Sequence, residues 1–395
     1  MQMTPGRVGE RPPRVGNRRM LARLLGIQLT AAMVILGVPA ITPALRDEFS
    51  LSRAGAGLLV TAAFLGVVAA SWPAGRIVNA VGVRRSMMVA SLGLGGSLAL
   101  LGIAPTYALV LVVLFVAGVF YSPVTPATNA GVVAWAPSGF RTRAMAIKQM
   151  GVTAGASISA ALIPVLTARF GWRTAVAVVG ALVAVLGLAS ANWFRRPPEV
   201  RAAVIPHGLE NRPLVVTLGV AMFLLLFVQH CVSTHFILAL QDRGVTLVVA
   251  GAALSLLQLS ATGARYGWAW VADRLLRGDA SRGVFIQCCG SALVLAAMTI
   301  FDGTRWPALA AVLLGATTQA GNGLMQVVLA DSGGSAPASS TGLGMSIGFS
   351  GTVIGPPIFG LLADRWTYRP SWIVVAMVAL GAGVITWRAA RDIAH

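Results

Sequence analysis

The sequence predicts an all-α polytopic membrane protein, with twelve transmembrane helices in two pseudo-symmetric bundles of six. Three observations carry that prediction. Of 395 residues, 56% are hydrophobic and only 11% charged, with a mean hydropathy of +0.79, too little polar surface to cover a water-soluble domain. Apolar runs of about 20 residues recur, each able to cross roughly 30 Å of hydrocarbon as a helix. Backbone in lipid must satisfy its own polar groups, so only helices or a closed barrel can span, and continuous apolar runs lack a barrel strand's alternation. The third observation is a duplication. GVTAGASISAALIP (151–164) is echoed by GMSIGFSGTVIGPP (344–357), which pairs Gly151 with Gly344, Gly155 with Gly348, Ser159 with Thr352 and Pro164 with Pro357 at an offset of 193.

Residues 1–20, rich in arginine, proline and glycine without apolar periodicity, read as a disordered cytoplasmic tail. The run at 24–45 is too long for the apolar core of a signal peptide, and spans follow it at 56–78, 86–104, 107–134, 144–168 and 173–194. Together 21–194 form the first bundle. Prolines and charges in RRPPEVRAAVIPHGLENRP (195–213) mark a cytoplasmic linker. The second bundle, 214–388, holds spans near 214–238, 248–272, 283–302, 306–329, 341–363 and 370–388, and 389–395 is a short cytoplasmic tail.

The net charge of +18 lies in short arginine clusters between apolar runs rather than on one soluble module. That pattern fits the positive-inside rule and argues against a nucleic-acid partner. The bias in alternate loops places both termini in the cytoplasm, and the expected location is the cell's inner (cytoplasmic) membrane. Cys231, Cys288 and Cys289 fall in apolar runs, so no disulfide framework is expected. His230 and His235 are five apart and cannot face one metal together, and neither a metal nor a cofactor is expected. No HExxH, G-x-S-x-G or P-loop occurs, which argues against an enzyme.

Gly151, Gly155 and Ser159 recur every four residues and line one helix face, where another helix can approach closely. Lys148, the only lysine in the chain, lies seven residues before Gly155 and projects from nearly the same face. It is expected to point into the protein rather than into lipid, and along the glycine face toward a central cavity.

Two six-helix halves joined by a basic linker resemble the major facilitator superfamily, and a local motif adds to the likeness. AGRIVNAVGVRR (74–85) is similar to that superfamily's signature between helices 2 and 3: a glycine, an acidic–basic pair, then glycine and two basic residues. Gly75, Gly82, Arg84 and Arg85 match, while Asn79 and Ala80 replace the acid and the base. Asp273 and Arg274, at an offset of 194, carry the missing pair in the second half, and ADR recurs at 363–365 on the opposite side. FGWR (170–173) and KQMGVTAG (148–155) also resemble bacterial branches near cyanate and nitroimidazole-type carriers. The likeness implies a carrier that rocks two halves around one midplane site. It gives Gly75 the role of letting helix 2 approach helix 11. The family's acid pairs with an arginine and a helix end to hold the cytoplasmic side shut. Asn79 offers no charge, so this latch is expected to be weak, with Asp273 and Arg274 compensating.

A charge at mid-membrane costs about 2.5–3.5 kcal/mol on insertion scales, so an intramembrane cation points to function. Lys148 and Arg265 are the candidates. Arg265 lies eight residues before Asp273, roughly 12 Å into the eighth span, and a guanidinium can hold a carboxylate bidentately. Carboxylate-carrying relatives often have an arginine at similar depth, so the resemblance implies the same role. Gln28, Asn129, Gln229, Gln258, Gln319, Asn322 and Gln326 add neutral hydrogen-bonding groups, the last three sharing roughly one face at i, i+3 and i+7. His230 is a candidate for lining the site or carrying a proton. None of the 12 acidic residues falls clearly near mid-span, and Leu114 stands where family antiporters carry an arginine. The Gly-Pro signature of antiporters is also missing from 156–164. The expected function is a secondary active or facilitative transporter that moves a small anion by rocker-switch alternating access and works as a monomer. A coupling proton is compatible with that expectation. The rivals are multidrug efflux within the same superfamily and, more remotely, a membrane receptor or sensor.

Overall fold

The structure, a computed structural model, describes residues 15–135, 141–192, 211–300, 307–334 and 337–391. Most of the expected N-terminal tail, most of the linker and residues 392–395 lie outside the described residues. The first bundle comprises α1 (Val15–Ile35), α2 (Val38–Glu48), α3 (Arg53–Val81), α4 (Val83–Gly102), α5 (Tyr107–Tyr121), α6 (Val124–Trp135), α7 (Arg141–Phe170) and α8 (Trp172–Ala191). The second comprises α9 (Arg212–Gln241), α10 (Leu247–Arg274), α11 (Ala280–Ile300), α12 (Pro307–Leu314), α13 (Asn322–Asp331), α14 (Pro337–Trp366) and α15 (Tyr368–Arg391), with a π-helical segment, Gly315–Gln319, before α13.

Three of the expected spans are interrupted, which is why the helices outnumber the spans. The first breaks before Pro39 and the fourth before Pro123, where proline has no amide hydrogen for the helix ladder. The tenth breaks at the π segment. Eleven segments of the described residues are long and apolar enough to cross a membrane, and the interrupted tenth makes up the expected twelve. Large apolar side chains such as Leu92, Leu293, Leu361 and Met377 are exposed, as a lipid-facing exterior requires.

Within the first bundle α1 packs on α7 and α4 on α8; within the second α9 packs on α14 and α11 on α15. The glycine face of α7 makes its own contact directly. A side chain at Gly151 or Gly155 would collide with the α1 backbone at Leu25 or Leu29. Replacing Gly155 by leucine is therefore expected to destabilise the first bundle by about 1–3 kcal/mol or more, as overpacking does. The purified variant should melt several degrees below wild type in detergent, and an unchanged melting temperature would refute this packing account.

The bundles meet chiefly through two helix pairs, α3 with α14 and α7 with α10, and α2 also packs on α9. Both chief contacts use the duplicated prolines. Pro357 has no amide hydrogen for the Val353 carbonyl, and the Thr61 hydroxyl of α3 donates to that carbonyl at 2.5 Å. Pro164 likewise frees the Ala160 carbonyl, and Gly251 of α10 packs directly against it. The Ser157 and Ser255 hydroxyls lie 2.8 Å apart across the same pair.

Beyond this crossing, Arg46, Arg53 and Ala54 of the first bundle bond to Asp242, Ala363 and Asp364 of the second on the side with the α2–α3, α9–α10 and α14–α15 turns. This is the closed face. Toward the other face the helices diverge. A side chain added at Gly75 on α3, at Gly263 or Gly267 on α10, or at Gly342 on α14 would meet nothing within 4 Å.

Candidate functional site

Arg265 sits where α10 packs on the π segment. A π turn shifts its hydrogen bonds to i+5 and leaves neighbouring carbonyls open to side chains. Three side chains use them. Arg265 Nη2 donates to the Gln319 carbonyl at 3.4 Å, Trp268 Nε1 to Ala316 at 2.8 Å and Gln229 Nε2 to Thr318 at 3.0 Å. Gln229 Nε2 also reaches Asn322 Oδ1 at 2.9 Å, and Gln319 Nε2 donates to the Gln229 carbonyl at 2.9 Å and to Ser233 Oγ at 2.7 Å. Beneath them the hydroxyls of Ser291 and Thr318 lie 2.7 Å apart. The structure thus gathers Gln229, Arg265, Gln319 and Asn322 into one network.

Gln326 does not join it. The expected i, i+3, i+7 stripe assumes an unbroken α-helix, and the tenth span is π-helical up to Gln319, then breaks before α13; Gln326 is exposed. Gln258 is half-buried on α10, seven residues before Arg265.

Lys148 points into the first bundle, but not into open space between the halves, where the helix face alone would put it. That face packs on α1, so the lysine is only 2% exposed, and its ammonium donates to Thr128 Oγ1 of α6 at 3.1 Å. The Thr128 hydroxyl donates in turn to the Val124 carbonyl at 2.8 Å, and Gln28 Oε1 lies 3.4 Å from the same hydroxyl. Asn129, next in sequence, is half-buried. Nε2 of Gln28 and Nε of Arg265 are buried and have no partner. The ion pairs among the described residues join Arg46 and Arg53 to Asp242, Arg173 to Glu48 and Arg282 to Asp279, so neither Lys148 nor Arg265 meets a carboxylate there. An uncompensated buried ion costs several kcal/mol, which makes these two cations the places where an anion would be gained.

His230 of α9 sits at the seam between the bundles. Its ring meets Phe64 of α3 edge-on at 4.9 Å, while Nδ1–H donates to the Leu226 carbonyl at 2.9 Å. His235 is wholly buried, and its Nε2–H donates to the Pro356 carbonyl at 2.9 Å.

The gate residues read from the sequence behave differently from expectation. Gly75 makes no close approach; α3 meets α14 at Gly57 and Gly360 instead, near the opposite end. Gly82 is the turn between α3 and α4, at φ +88°, a conformation that favours glycine. The Asn79 side chain lies outside the described residues. Arg84 donates to Asn192 Oδ1 at 2.7 Å within its own bundle, and Arg85 is exposed. Asp273 and Arg274 are exposed and form no ion pair among the described residues.

A latch of the expected chemistry stands on the closed face, in the second ADR. Asp364 accepts the backbone N–H of Arg53 at 2.9 Å and of Ala54 at 3.0 Å, the first two amides of α3. Ser52 Oγ accepts the third, from Gly55. A helix N-terminus presents unpaired donors and a partial positive charge, so the carboxylate satisfies both across the seam. Gly360 makes room, because a side chain there would strike Arg53 and Ala54. Asp242 adds bonds to Arg53 at 2.6 Å and Arg46 at 3.2 Å. Sequence reasoning missed Asp242, and saw Asp364 only as part of a repeated tripeptide.

A separate hollow of about 330 Å³ lies at the α10–α11 turn, lined by Asp279, Arg282, Asp331, Trp387 and Arg391 among others. Burial raises the Asp279 carboxyl, but its bonds to the Ser281 hydroxyl and the Arg282 amide outweigh this and hold it below its ordinary value. In it Arg282 pairs with Asp279, and Arg391 stacks on Trp387.

Comparison with known proteins follows the same outline. Residues 24–356 match the family model described as Major Facilitator Superfamily. The chain is 24% identical over 199 residues to a probable sulfoacetate transporter, SauU, of Cupriavidus necator, covering 50% of this chain but only 46% of that relative. An uncharacterized MFS-type transporter of Mycobacterium tuberculosis is 24% identical over 372 residues, 91% of this chain and 82% of the relative. Among solved structures, a bacterial homolog of the human lysosomal transporter Spinster, inward-facing and occupied, superposes with a TM-score of 0.83 at 16% identity over 96% of this chain and 98% of that one. Its inward-facing, unoccupied form gives 0.82 at 15% identity, over 97% and 98%.

Proposed function

This chain belongs to the major facilitator superfamily, and from that premise we propose that it carries a small organic anion through alternating access. It is a multi-pass membrane transporter. One observation carries the anionic substrate: Arg265 is half-buried in the second bundle, with Nε buried and unpaired and no carboxylate against it among the described residues. A carboxylate or sulfonate would complete its fork. The neutral donors and acceptors of Gln229, Gln319 and Asn322 beside it suit orientation of a polar solute rather than selection of a lipophilic cation. The partial likeness to a probable sulfoacetate transporter points the same way.

The arginine bias of the loops puts both termini in the cytoplasm of the inner membrane. The closed face then looks outward, and the diverging helices open to the cell interior. Rocking about the α3–α14 and α7–α10 crossings would exchange these faces, with the chain acting as a monomer. His230, at the seam against Phe64, is where a proton would couple to the passage of the anion.

The test is ligand-induced stabilisation of the purified protein. Sulfoacetate, succinate and acetate are compared with the lipophilic cations tetraphenylphosphonium and ethidium at equal ionic strength. A ligand at about 100 times its Kd adds about 2.7 kcal/mol, several degrees of melting temperature. Anions are expected to stabilise and the cations to leave the melting curve in place; stabilisation by the cations alone would favour multidrug efflux.

A further inference from the structure

We propose that the carried anion bears two acidic groups, one for the Lys148 cluster of the first bundle and one for the Arg265 network of the second. This rests on the anion reading above. The first observation is depth. From the contact of Ser157 with Ser255, Lys148 lies nine residues along α7 and Arg265 ten residues along α10, both toward the open face. At 1.5 Å per residue these are about 14 Å and about 15 Å, so the backbone positions of Lys148 and Arg265 lie at similar depth on helices that leave one crossing.

The second observation is unmet donor capacity on each side. The Lys148 ammonium has one hydroxyl partner where it can serve three, and the adjoining Gln28 Nε2 is buried and unpaired. Arg265 has one long bond at 3.4 Å and an unpaired Nε. The third is charge. A monoanion would neutralise one of these cations and leave the other uncompensated, whereas a dianion neutralises both. Lysine's flexible stem lets the ammonium leave Thr128 to meet its ligand. A molecule held by both bundles also binds differently as the halves approach. That difference in affinity is what a solute needs to drive the rocking.

The experiment compares matched pairs by thermal stabilisation: acetate with malonate, propionate with succinate, and methanesulfonate with sulfoacetate, at constant pH and ionic strength. Wild type is expected to bind each diacid at least about tenfold more tightly than its partner. Lys148→Gln should reduce that ratio to below about threefold, and Lys148→Arg should restore most of it. Equal binding of the mono- and dianions by wild type would overturn the inference and leave the anion reading intact. So would a Lys148→Gln variant that keeps the full ratio. If none of the six anions stabilises the protein, the anion reading itself falls.

Discussion

Replacing Arg265 by glutamine is expected to lower anion transport by about 30-fold to 4,000-fold. Removing one partner of a buried, hydrogen-bonded charge pair costs about 2–5 kcal/mol, and each 1.4 kcal/mol is tenfold. The measurement is uptake into proteoliposomes of whichever anion best stabilises the wild-type protein. Arg265 also touches the π segment, so loss of structure must be separated from loss of binding. Its bond to the Gln319 carbonyl is long, 3.4 Å, and a net hydrogen bond contributes about 1 kcal/mol, so the ligand-free melting temperature should fall only slightly. Stabilisation by the anion should vanish. Lysine at this position keeps the charge and loses the fork, and should recover a minority of transport. Undiminished uptake by the glutamine variant would remove Arg265 from the site.

Asp364→Ala is expected to unseal the closed face. The carboxylate holds two helix-terminal amides of the opposite bundle, and hydrogen bonds to a charged group contribute about 1.5–3 kcal/mol. These bonds exist only while the face is shut, so their loss falls on that state alone. The balance between conformations should move by about 10-fold to 100-fold toward opening there. Spin labels on the α2–α3 and α9–α10 turns would report it as a new, longer distance in pulsed dipolar spectra. Asp364→Asn, which keeps an acceptor without the charge, should lie between. A distance distribution identical to wild type would show that the seam closes by packing alone.

Much of the architecture was legible because apolar length and the duplication at offset 193 are set by the membrane itself. Pro164 and Pro357, matched by sequence alone, each free a carbonyl at the bundle seam. Arg265, Gln229, Gln319 and Asn322 were legible as site candidates because polar groups within apolar spans are few. What escaped reading depended on three dimensions. The π segment has no apolar signature, so the stripe was extended one turn too far, to Gln326. Lys148 shares the α7 face of Gly151 and Gly155, but periodicity does not tell which neighbour that face meets; it is α1. Asp242 and Asp364 stand at helix ends, where a charge in sequence reads only as a loop marker. Gly75 meets no neighbour within 4 Å, so the approach to the eleventh span expected of it is not made in this structure.

The seam on the closed face is sided. The first half supplies Arg46, Arg53, the Thr61 hydroxyl and the amides that open α3; the second supplies Asp242, Asp364 and the carbonyls of Val353 and Ala363. Halves born of one ancestral segment risk pairing like with like during insertion. Here two copies of the first would present cation to cation, and two of the second would present acid to acid, so each recognises the other in preference to itself.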